Sequence, residues 1–511
     1  MQLVQVLRES AAKNPNKTAY IWRDVPMTYA EMQARTNQMA NRLAELGVQK
    51  GDRVGLLMPN IPDFAVTYYG VLSLGASVVP LNVMYRAREI AYILNDSGAK
   101  VLVTVQPFLP QVLEARPSLT SVKYIINKGL EQVPDVLNLD LLLNDASEKP
   151  AEADVSEEDI AVICYTSGTT GNPKGAMLTH GNLLANLDQM LRLPRFDTTP
   201  DDIGIQVLPL FHIYGMNVGM NLGTLMGMTG VMVERFDAEM AAQAIHKYRC
   251  TTFVGAPPMF IALVNLPNVR EYDLTSLKTV VSGAAALPVR VLEMFKELTG
   301  VEIMEGYGLT ETSPVLTTNA AGLVTKPGSV GPAIPDVEIR LVDENDNDVP
   351  LGQPGELIAR GPNVFKGYYN MPEATAEAFK GGWFHTGDIA TKDEDGYYYI
   401  VDRKKEMINV SGFNVYPREI EEVLYRHPKV LDAAVIGVPD QYQGESVMAI
   451  LALKPGQTVT NEEIIEYCRT QLAAFKVPRH IQFREALPKL PTGKVLKREL
   501  RDEVHKNWPK Q

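Results

Sequence analysis

Apolar and polar positions along the chain alternate between a helical period and a strand period. Thr28 and Glu31 form a capping box that opens an amphipathic helix, which we expect to end before Gly47. A strand-like apolar run follows at 53–58, and a second helix is predicted after Pro62. Alternation of this kind predicts an α/β architecture with a largely parallel sheet.

The same order of strand and helix returns later in the chain and then gives way to another texture. The apolar run Thr279–Ser282 leads into a helix that is opened by Pro288 and stopped by Gly300. From about 330 to 400 the pattern becomes one of short strands separated by turns. That texture predicts a β-rich subdomain.

Residues 403–511 have the pattern of a separate, small unit. A helix is predicted at Pro417–Arg426, two strands follow it, and a further helix is capped by Thr460. We therefore expect an α/β protein whose large N-terminal domain, residues 1–402, consists of layered, helix-flanked sheets with a β-rich subdomain at 330–400. The C-terminal unit is expected to be a small, mobile α+β lid domain.

One long segment, 203–233, contains no charged residue and has glycine at every fourth position from Gly215 to Gly227. Such spacing is typical of helix pairs in membranes. Pro209 and the glycines would weaken a lone helix in lipid, so a membrane span is the less favoured alternative. We expect a buried helix whose glycines let another backbone or an apolar ligand approach, with methionines such as Met216 in an adaptable wall. A helix that merely crosses the core is the other alternative.

Composition and charge narrow the class of protein. The 511 residues include 49 Lys and Arg against 61 Asp and Glu, a net charge of −12, which argues against binding to a nucleic acid polymer. Cys164, Cys250 and Cys468 form no C-x-x-C pattern, so neither a disulfide framework nor a zinc site is expected. Because no signal peptide is recognisable at the N-terminus, we expect a cytoplasmic location.

A glycine- and hydroxyl-rich loop, TSGTTGNPKG, follows an apolar strand at residues 166–175. Its glycines allow backbone N–H groups to turn inward as an anion-binding nest, its hydroxyls can donate hydrogen bonds, and Lys174 adds a positive charge. The loop is therefore predicted to hold nucleotide phosphates. It is not a Walker A loop, since the chain contains no G-x-x-x-x-G-K-[ST]. A chance loop of these residue types is the alternative for the motif taken alone.

Five further blocks follow this loop along the chain: LFHIYG (210–215), GYGLTE (306–311), TGD (386–388), DRKKEMINVSGFNVYPREIE (402–421) and PKLPTGK (488–494). With the loop, they make the chain resemble the adenylate-forming superfamily, which includes acyl-CoA synthetases, firefly-type luciferases and the adenylation domains of peptide synthetases. The resemblance covers essentially the whole chain. It implies an acid–thiol ligase, an AMP-forming acyl-CoA synthetase, that uses ATP, Mg²⁺ and CoA.

The resemblance also implies four catalytic residues. Activating a carboxylate with ATP brings two anions together, so the site must neutralise the α-phosphate. The lysine at the position of Lys494 does this in the family. Glu311 matches the Mg²⁺ ligand, and Thr310 a hydroxyl that contacts phosphate. His212 falls near the expected acyl carboxylate, with a satisfied core histidine as the alternative.

Further residues match the family's nucleotide site, with small residues along adenine, an aromatic near it, and a carboxylate and an arginine at the ribose hydroxyls. Simple turn roles are the alternative for some of them. The predicted ATP-binding residues are Thr166, Ser167, Gly168, Thr169, Thr170, Lys174, Gly283, Ala284, Ala285, Glu305, Gly306, Tyr307, Gly308, Asp388 and Arg403.

The resemblance implies a lid that rotates between the two half-reactions. The hinge is expected at Lys405, and rotation would withdraw Lys494 and bring Ser411 and Gly412 to the path of CoA. Related enzymes often have lysines where this chain has Asn409 and Ser411. That departure makes the contacts of the thioester step less well defined than those of adenylation.

The uncharged segment bears on the acid that is activated. An amino acid would need an acidic partner, and a dicarboxylate a basic one, and neither occurs in 203–233. An acyl pocket that includes Gly215, Met216 and Gly219 best suits a fatty acid of medium or long chain, and LFHIYGMN resembles bacterial long-chain fatty-acid–CoA ligases. An aryl acid such as a coumarate is the alternative, and a luciferase-type oxygenase is less favoured.

Two hypotheses from other classes stand beside the enzyme. A degenerate binder of acyl-AMP or CoA is disfavoured because Lys494, Glu311 and the phosphate loop are all present. A membrane-associated protein built on 203–233 is disfavoured by Pro209 and the glycines. The expected partners are therefore fatty acid, ATP and CoA, without a transmembrane span but with peripheral membrane contact left open, in a monomer or homodimer.

Overall fold

The computed structural model describes residues 2–166, 173–285, 287–411, 413–440, 442–489 and 495–508. A π-helical segment at Tyr214–Asn221 runs directly into α8. The helices are α1 Gln5–Lys13, α2 Tyr29–Glu45, α3 Pro62–Ser73, α4 Ala87–Ser97, α5 Leu109–Ala115, α6 Leu139–Leu143, α7 His180–Leu191, α8 Leu222–Leu225, α9 Ala238–Tyr248, α10 Pro257–Val264, α11 Val289–Thr299, α12 Pro372–Ala378, α13 Pro417–Arg426, α14 Asn461–Arg469 and α15 Lys497–Asn507.

Two large, mainly parallel sheets form the N-terminal part. The first has the order β15-β14-β13-β12-β10-β11-β1-β2 and the second β18-β9-β8-β4-β3-β5-β6-β7. Strands of the first are β1 Thr18–Trp22, β2 Val25–Thr28, β10 Ile203–Gln206, β11 Thr229–Met232, β12 Thr252–Gly255, β13 Thr279–Ser282, β14 Ile303–Gly308 and β15 Val315–Thr318. Strands of the second are β3 Arg53–Leu57, β4 Ser77–Pro80, β5 Val101–Val105, β6 Tyr124–Lys128, β7 Leu137–Asn138, β8 Ile160–Thr166, β9 Lys174–Thr179 and β18 Gly367–Tyr368.

The remaining strands form two smaller, largely antiparallel sheets. One has the order β16-β17-β20-β19 with β21 on β20, and the other β23-β22-β25-β24 with β26 on β25. Their bounds are β16 Glu338–Val342, β17 Gly355–Arg360, β19 Phe379–Lys380, β20 Trp383–Lys392, β21 Tyr398–Arg403, β22 Ile408–Val410, β23 Phe413–Val415, β24 Val430–Asp440, β25 Gly444–Leu453 and β26 His480–Arg484. The α/β fold class and the predicted β-rich stretch are confirmed, although β18 pairs with β9 of the second large sheet.

Local signals in the sequence explain several element ends. The side chain of Thr28 accepts a hydrogen bond from the N–H of Glu31, and the carboxylate of Glu31 accepts one from the N–H of Thr28. The predicted capping box therefore begins α2. Gly300 ends α11 with φ +79°, a left-handed conformation that favours glycine. The helix at Pro417–Arg426 has the predicted bounds.

The C-terminal sheet buries both of its faces. Alternate residues of β24 and β25 pack against α13 and α14 on one face, where Val435 and Leu451 meet Ile420. The other face packs against α15, where Ile436 contacts the cluster of Leu500. The two-residue period of the strands produces this division. The division into domains 1–402 and 403–511 stays a prediction.

The uncharged segment 203–233 is not one helix. It forms the strand β10, the π-helical segment that runs into α8, and the strand β11, so the predicted buried helix is correct only for its middle. The glycines do allow close backbone approach, since a Cβ on Gly215 would lie 2.4 Å from the carbonyl oxygen of Pro209. A membrane-crossing helix is absent from the part of the chain that the structure describes, because none of its helices combines the necessary length and apolar character.

Candidate active site

A cleft of about 2530 Å³ lies where the carboxyl ends of the parallel strands meet the C-terminal unit. Residues that follow β8, β13 and β14 line it, as do the turn into β22 and parts of α13 and α15. In open α/β sheets, ligands bind outside the carboxyl ends of the strands. The position of this cleft therefore favours it as the active site.

The described ends of the predicted phosphate loop line this cleft. These ends, Thr166 and Lys174, lie opposite each other in the antiparallel pairing of β8 and β9. The Lys174 ammonium lies 5.1 Å from the centre of the Tyr368 ring, a cation–π contact that holds it at the cleft wall. The predicted phosphate ligands Ser167, Gly168, Thr169 and Thr170 lie outside the described residues.

The predicted adenine wall follows β13. Gly283 and Ala285 line the cleft together with Ala284, which has φ +72°. A Cβ on Gly283 would lie 3.0 Å from the Tyr214 ring, so glycine lets this turn press against that ring. The wall thus consists of small residues with an aromatic ring behind them.

The GYGLTE block contributes β14 and the turn after it. Gly306, Tyr307 and Gly308 line the cleft. A Cβ on Gly308 would lie 1.7 Å from the Pro314 carbonyl oxygen, which leaves room for glycine alone. Glu305 is 4% exposed and is not among the lining residues.

The carboxylate of Glu305 faces the protein interior instead. Its Oε1 accepts a hydrogen bond from the Leu287 N–H at 3.1 Å, and burial raises its pKa to about 7. A carboxyl group held in this way positions the turn before α11 relative to β14. The structure therefore gives Glu305 a place behind the predicted ATP site rather than at its surface.

Asp388 has partners on both sides within the cleft. Tyr307 Oη donates a hydrogen bond to Asp388 Oδ2 at 2.6 Å, and Arg403 Nε lies 3.3 Å from Asp388 Oδ1. Asp388 and Arg403 are paired across β20 and β21, so the sheet register fixes this contact. Burial, and then the neighbouring Asp388 charge, raise the pKa of Tyr307 above its usual value. The predicted ribose-binding pair and the predicted adenine neighbour are thus joined by one ion pair and one hydrogen bond.

Glu311 is a buried carboxylate, 8% exposed, that also lines the cleft. Tyr368 Oη donates to Glu311 Oε1 at 2.8 Å, and burial raises the pKa of the carboxyl group. Within the described ranges no Lys or Arg pairs with it, and no group of three or more metal-ligating side chains occurs. A single carboxylate of this kind fits a Mg²⁺ ion whose other ligands are phosphate oxygens and water. Thr310 begins the same short helical turn.

His212 lies at the apolar side of the cleft and is held in one tautomer. The backbone N–H of Tyr214 donates to His212 Nδ1 at 3.2 Å, and burial lowers the imidazole pKa to about 4. A neutral ring whose Nδ1 accepts must carry its proton on Nε2. His212 can therefore donate a hydrogen bond to a carboxylate while remaining uncharged.

The cleft continues beyond His212 between the π-helical segment, α10 and α11. This apolar end is lined by Met190, Val218, Ile261, Val281 and Met294. Of the predicted acyl-pocket residues, Gly215 faces the Pro209 carbonyl, and Met216 is 0% exposed in the core. Gly219 lines a separate, smaller cavity. The π-helical segment, the middle of the predicted helix, lines the cleft through Val218, whereas Gly215, Met216 and Gly219 do not line it in this structure. The acyl-pocket assignment of these three residues stays a prediction.

The predicted hinge and CoA residues lie at the C-terminal unit. Lys405 occupies the turn between β21 and β22 and lines the cleft. Ser411 is exposed at the end of β22, where its N–H donates to the Gln443 carbonyl at 2.8 Å, away from the cleft. Gly412 and the predicted catalytic Lys494 lie outside the described residues.

Sequence reasoning missed a buried ionic group beside the hinge. Lys497 Nζ lies 2.8 Å from Glu421 and 3.3 Å from Glu406. Burial alone would lower the pKa of Lys497, but these carboxylates and Asp402 raise it. The charged residues of α13 and α15 can be read from the sequence, but the ion pair between Lys497 and Glu421 depends on how the two helices lie in the fold.

A cleft at the carboxyl ends of parallel strands, lined by a buried carboxylate and by the joined residues Tyr307, Asp388 and Arg403, is the arrangement expected of an adenylate-forming enzyme. The AMP-binding enzyme family matches residues 7–369, and the AMP-binding enzyme C-terminal domain matches residues 419–494. The chain belongs to the AMP-binding enzyme family. It is an AMP-forming acyl-CoA synthetase, an acid–thiol ligase with ATP and CoA as substrates.

Similar proteins differ in the acid that their names give. A long-chain-fatty-acid–CoA ligase of Bacillus subtilis (strain 168) is 36% identical, over 99% of this chain and 95% of its own. A feruloyl-CoA synthase of Amycolatopsis sp is 37% identical, over 96% of each. The crystal structure of the anthranilate CoA ligase AuaEII in complex with anthranoyl-AMP has a TM-score of 0.94 at 31% identity, covering 99% of this chain and 98% of its own. Both aliphatic and aromatic acids are thus represented.

Two structures of one protein bear on the arrangement of the parts. ATP-bound MatB from Rhodopseudomonas palustris has a TM-score of 0.90 at 32% identity, and apo MatB has 0.79 at 33%, each with 100% of both chains covered. The present structure is thus more similar to that of ATP-bound MatB than to that of apo MatB.

Proposed function

We propose that this enzyme activates a fatty acid of medium or long chain. The acid and ATP would form acyl-adenylate and pyrophosphate, and CoA would then displace AMP to give acyl-CoA. The observation that carries the proposal is the apolar end of the cleft, where methionine, valine and isoleucine side chains extend beyond a neutral His212. Such a wall offers no partner to a second charged group on the acid. The similarity to a long-chain-fatty-acid–CoA ligase supports this substrate.

The described residues suggest how adenylation proceeds. His212 Nε2–H would bind one carboxylate oxygen of the acid and orient the other toward the α-phosphate. Lys494 would approach from the lid and neutralise charge that develops at the α-phosphate. Asp388 would accept hydrogen bonds from the ribose hydroxyls in the place where it now accepts one from Tyr307.

Glu311 is the proposed Mg²⁺ ligand. The ion would reduce repulsion among the phosphate oxygens when bound. Tyr368 keeps the Glu311 carboxylate aimed into the cleft through a hydrogen bond of 2.8 Å. Thr310 and the loop from Thr166 to Lys174 would bind phosphate oxygens through hydroxyl, backbone and ammonium donors.

The thioester step requires a second arrangement of the lid. Lys494 and an incoming thiol cannot occupy the same place at the acyl-adenylate, so the unit after Lys405 would rotate once pyrophosphate has left. Rotation would carry the exposed Ser411, which precedes Gly412 in the chain, toward the cleft, where both are proposed to line the path of CoA. The division into a large domain, 1–402, and a mobile lid, 403–511, belongs to this proposal, as does a cytoplasmic location, which suits the three unpaired cysteines.

The test is a panel of acids with ATP, Mg²⁺ and CoA, followed by AMP release. Saturated acids of increasing length, ferulate, coumarate, benzoate and malonate would be compared by kcat/KM. We expect kcat/KM to rise with aliphatic length to at least medium chains. A preference for hydroxycinnamates over every aliphatic acid would refute the proposed substrate class.

One observation favours an aryl acid as the second candidate. Tyr214 Oη is buried without a hydrogen-bond partner among the described residues, and Tyr214 lines the cleft. A phenolic hydroxyl on the substrate would satisfy it, as in a hydroxycinnamate. The similarity to a feruloyl-CoA synthase points the same way. Tyr214→Phe would distinguish the candidates, because it should lower activity with ferulate and leave a preference for aliphatic acids intact.

A further inference from the structure

Two opposite charges of the cleft contact the same tyrosine. Tyr368 Oη donates to Glu311 Oε1 at 2.8 Å, and the Lys174 ammonium lies 5.1 Å from the centre of the Tyr368 ring. Among the residues that the structure describes, no ion pair joins Lys174 to Glu311. All three side chains line the cleft, so Tyr368 lies between a cation and an anion that would otherwise attract each other.

The register of two strands explains the contact between Tyr368 and Lys174. Strand β18 pairs with β9 in antiparallel fashion, and Tyr368 lies opposite Ala176. Lys174 precedes Ala176 by two residues in β9, so the two face the same side of the sheet. Tyr368 and Lys174 are therefore diagonal neighbours, a separation that an aromatic ring and a long side chain can span.

Further contacts fix the ring and the Glu311 turn relative to each other. The Phe365 ring packs edge-on against that of Tyr368, with 4.9 Å between the ring centres. The Tyr368 N–H donates to Thr375 Oγ1 at 2.9 Å, and the Phe365 N–H donates to the Glu311 carbonyl at 2.8 Å. The segment that carries Tyr368 is thus bonded both to β9 and to the turn of Glu311.

Keeping the two charges apart has a chemical use. In the proposed function Lys174 binds phosphate oxygens and Glu311 binds Mg²⁺. An ion pair between them would engage both groups, and ATP would have to break that pair before it could bind. The cation–π contact holds Lys174 more weakly, so phosphate oxygens can displace it.

We propose that Tyr368 is a positioning residue whose ring prevents Lys174 and Glu311 from pairing before the nucleotide binds. The ring performs the separation, and the hydroxyl orients the carboxylate. This inference rests on the proposed function, which gives the lysine and the glutamate their roles. It makes the open state of the phosphate and Mg²⁺ sites a property of one side chain.

The main experiment is a double-mutant cycle in the ligand-free protein. Lys174→Met and Glu311→Gln are made alone and together, and the free energy of unfolding is measured with denaturant. With Tyr368 in place, the two effects should add to within about twofold in the unfolding equilibrium constant. In the Tyr368→Leu background the charges should pair, and the coupling should reach about tenfold.

Two more substitutions of Tyr368 separate the ring from the hydroxyl. Tyr368→Phe keeps the ring alone and should give the small coupling of the wild type. Tyr368→Met has no ring and adapts to irregular gaps, so it should behave as Tyr368→Leu and serve in its place if that variant fails to fold. Tyr369→Leu is the matched control, because the neighbouring Tyr369 is also half-buried but does not line the cleft. It should leave the coupling small.

A second readout is the affinity for ATP without Mg²⁺, measured by calorimetry. Lys174→Met should weaken binding about tenfold in the wild type, the lower end for a hydrogen bond to a charged group. In the Tyr368→Leu background the lysine is already engaged by Glu311. There Lys174→Met should change the affinity by no more than about twofold.

The outcomes distinguish the inference from the function on which it rests. If the coupling stays small in both Tyr368→Leu and Tyr368→Met, or is already tenfold in the wild type, the inference is wrong and the proposed function stands. An equal rise in Tyr369→Leu would show general loosening and overturn the inference as well. If Lys174→Met leaves the ATP affinity of the wild type unchanged, the proposed phosphate role of Lys174 is wrong. The purpose that the inference gives to Tyr368 then fails with it.

Discussion

Glu311→Gln should remove most of the adenylation activity and yet leave the folded protein at least as stable. Glu311 is 8% exposed, and its carboxylate accepts a hydrogen bond from Tyr368 at 2.8 Å. No Lys or Arg forms an ion pair with it within the described ranges, and the hydrogen bond from Tyr368 and the more distant charge of Arg403 offset only part of the cost of burying its charge. Glutamine keeps the shape of the side chain and can still accept from Tyr368. The substitution therefore removes little besides the charge.

The sign of the stability change follows from the pKa. Burial raises the pKa of Glu311 above its ordinary value of 4.5, so ionisation is less favourable in the folded than in the unfolded chain. The free energy of unfolding therefore falls as the pH rises from 4.5 through the pKa that Glu311 has in the folded protein. Each pH unit by which burial raises this pKa lowers the free energy of unfolding by about 1.4 kcal/mol. At pH 8 the variant should be as stable as the wild type or more so, and near pH 4 the two should converge.

The activity should change in the opposite direction. Losing one preorganised charge at the triphosphate should lower the rate of adenylation by on the order of 10²–10³, about 3–4 kcal/mol of transition-state stabilisation. A readout that does not depend on turnover is ATP affinity by calorimetry. Mg²⁺ should strengthen ATP binding to the wild type and have little effect on the variant.

The assays are AMP release, denaturant unfolding at pH 4 and pH 8, and calorimetry with and without Mg²⁺. Glu114→Gln, at an exposed position of α5 outside the cleft, is the matched control and should change none of these quantities. The reasoning would be refuted if Glu311→Gln kept more than a third of the wild-type rate. A variant clearly less stable than the wild type at pH 8 would refute it as well, since the carboxylate would then be a structural group.

Three further predictions concern other parts of the site. Lys494→Ala should lower adenylation by on the order of 10²–10³ but spare CoA transfer onto supplied acyl-AMP, and equal loss of both half-reactions would contradict the moving lid. Gly308→Ala should lower the free energy of unfolding, measured with denaturant, by about 3 kcal/mol, because its Cβ would lie 1.7 Å from a backbone oxygen. Gly223→Ala is the control and should leave that free energy unchanged, because its Cβ would lie 3.9 Å from its nearest neighbour. Burial lowers the pKa of His212 to about 4, so the imidazole should stay neutral between pH 5.5 and 8. The ratio of kcat/KM between the wild type and His212→Gln should therefore be constant over this range. A ratio that changes near pH 6.5 would show that the imidazole titrates normally.

The elements that the sequence predicted well are those whose ends are set by neighbouring residues. The capping box of Thr28 and Glu31 and the left-handed Gly300 act within one turn, so their effect can be read without the fold. The segment 203–233 was harder because distant residues decide its shape. Asn217 donates to the Ser313 carbonyl at 2.7 Å, and Asn221 accepts from Tyr69 at 2.9 Å. These buried contacts stabilise a π-helix, which a pattern with a period of 3.6 residues does not predict.

The same distinction applies to the site. Tyr307, Asp388 and Arg403 line one cleft, as the sequence blocks that contain them predicted. Each of these residues lies in or at the end of a strand, and the pairing of the strands sets its position. Glu305 directly precedes the GYGLTE block in β14, and its carboxylate instead accepts a hydrogen bond from the Leu287 N–H behind the predicted ATP site, a contact with a distant turn that requires the fold. Lys497 could not be assigned from the sequence, because its partner Glu421 is contributed by another helix.

The contacts around the proposed hinge suggest how the lid could move as one body. Lys497 joins Glu406 and Glu421, all of which follow Lys405, so rotation there would leave this group intact. Asp402 precedes the hinge and accepts a hydrogen bond from the Arg418 N–H at 2.8 Å, a contact that rotation must break. A hydrogen bond to a charged group contributes about 1.5–3 kcal/mol, or roughly ten- to a hundredfold in an equilibrium. A latch of that size can favour the arrangement that resembles ATP-bound MatB and still release within a catalytic cycle, because it is small beside the binding energy that ATP and CoA supply.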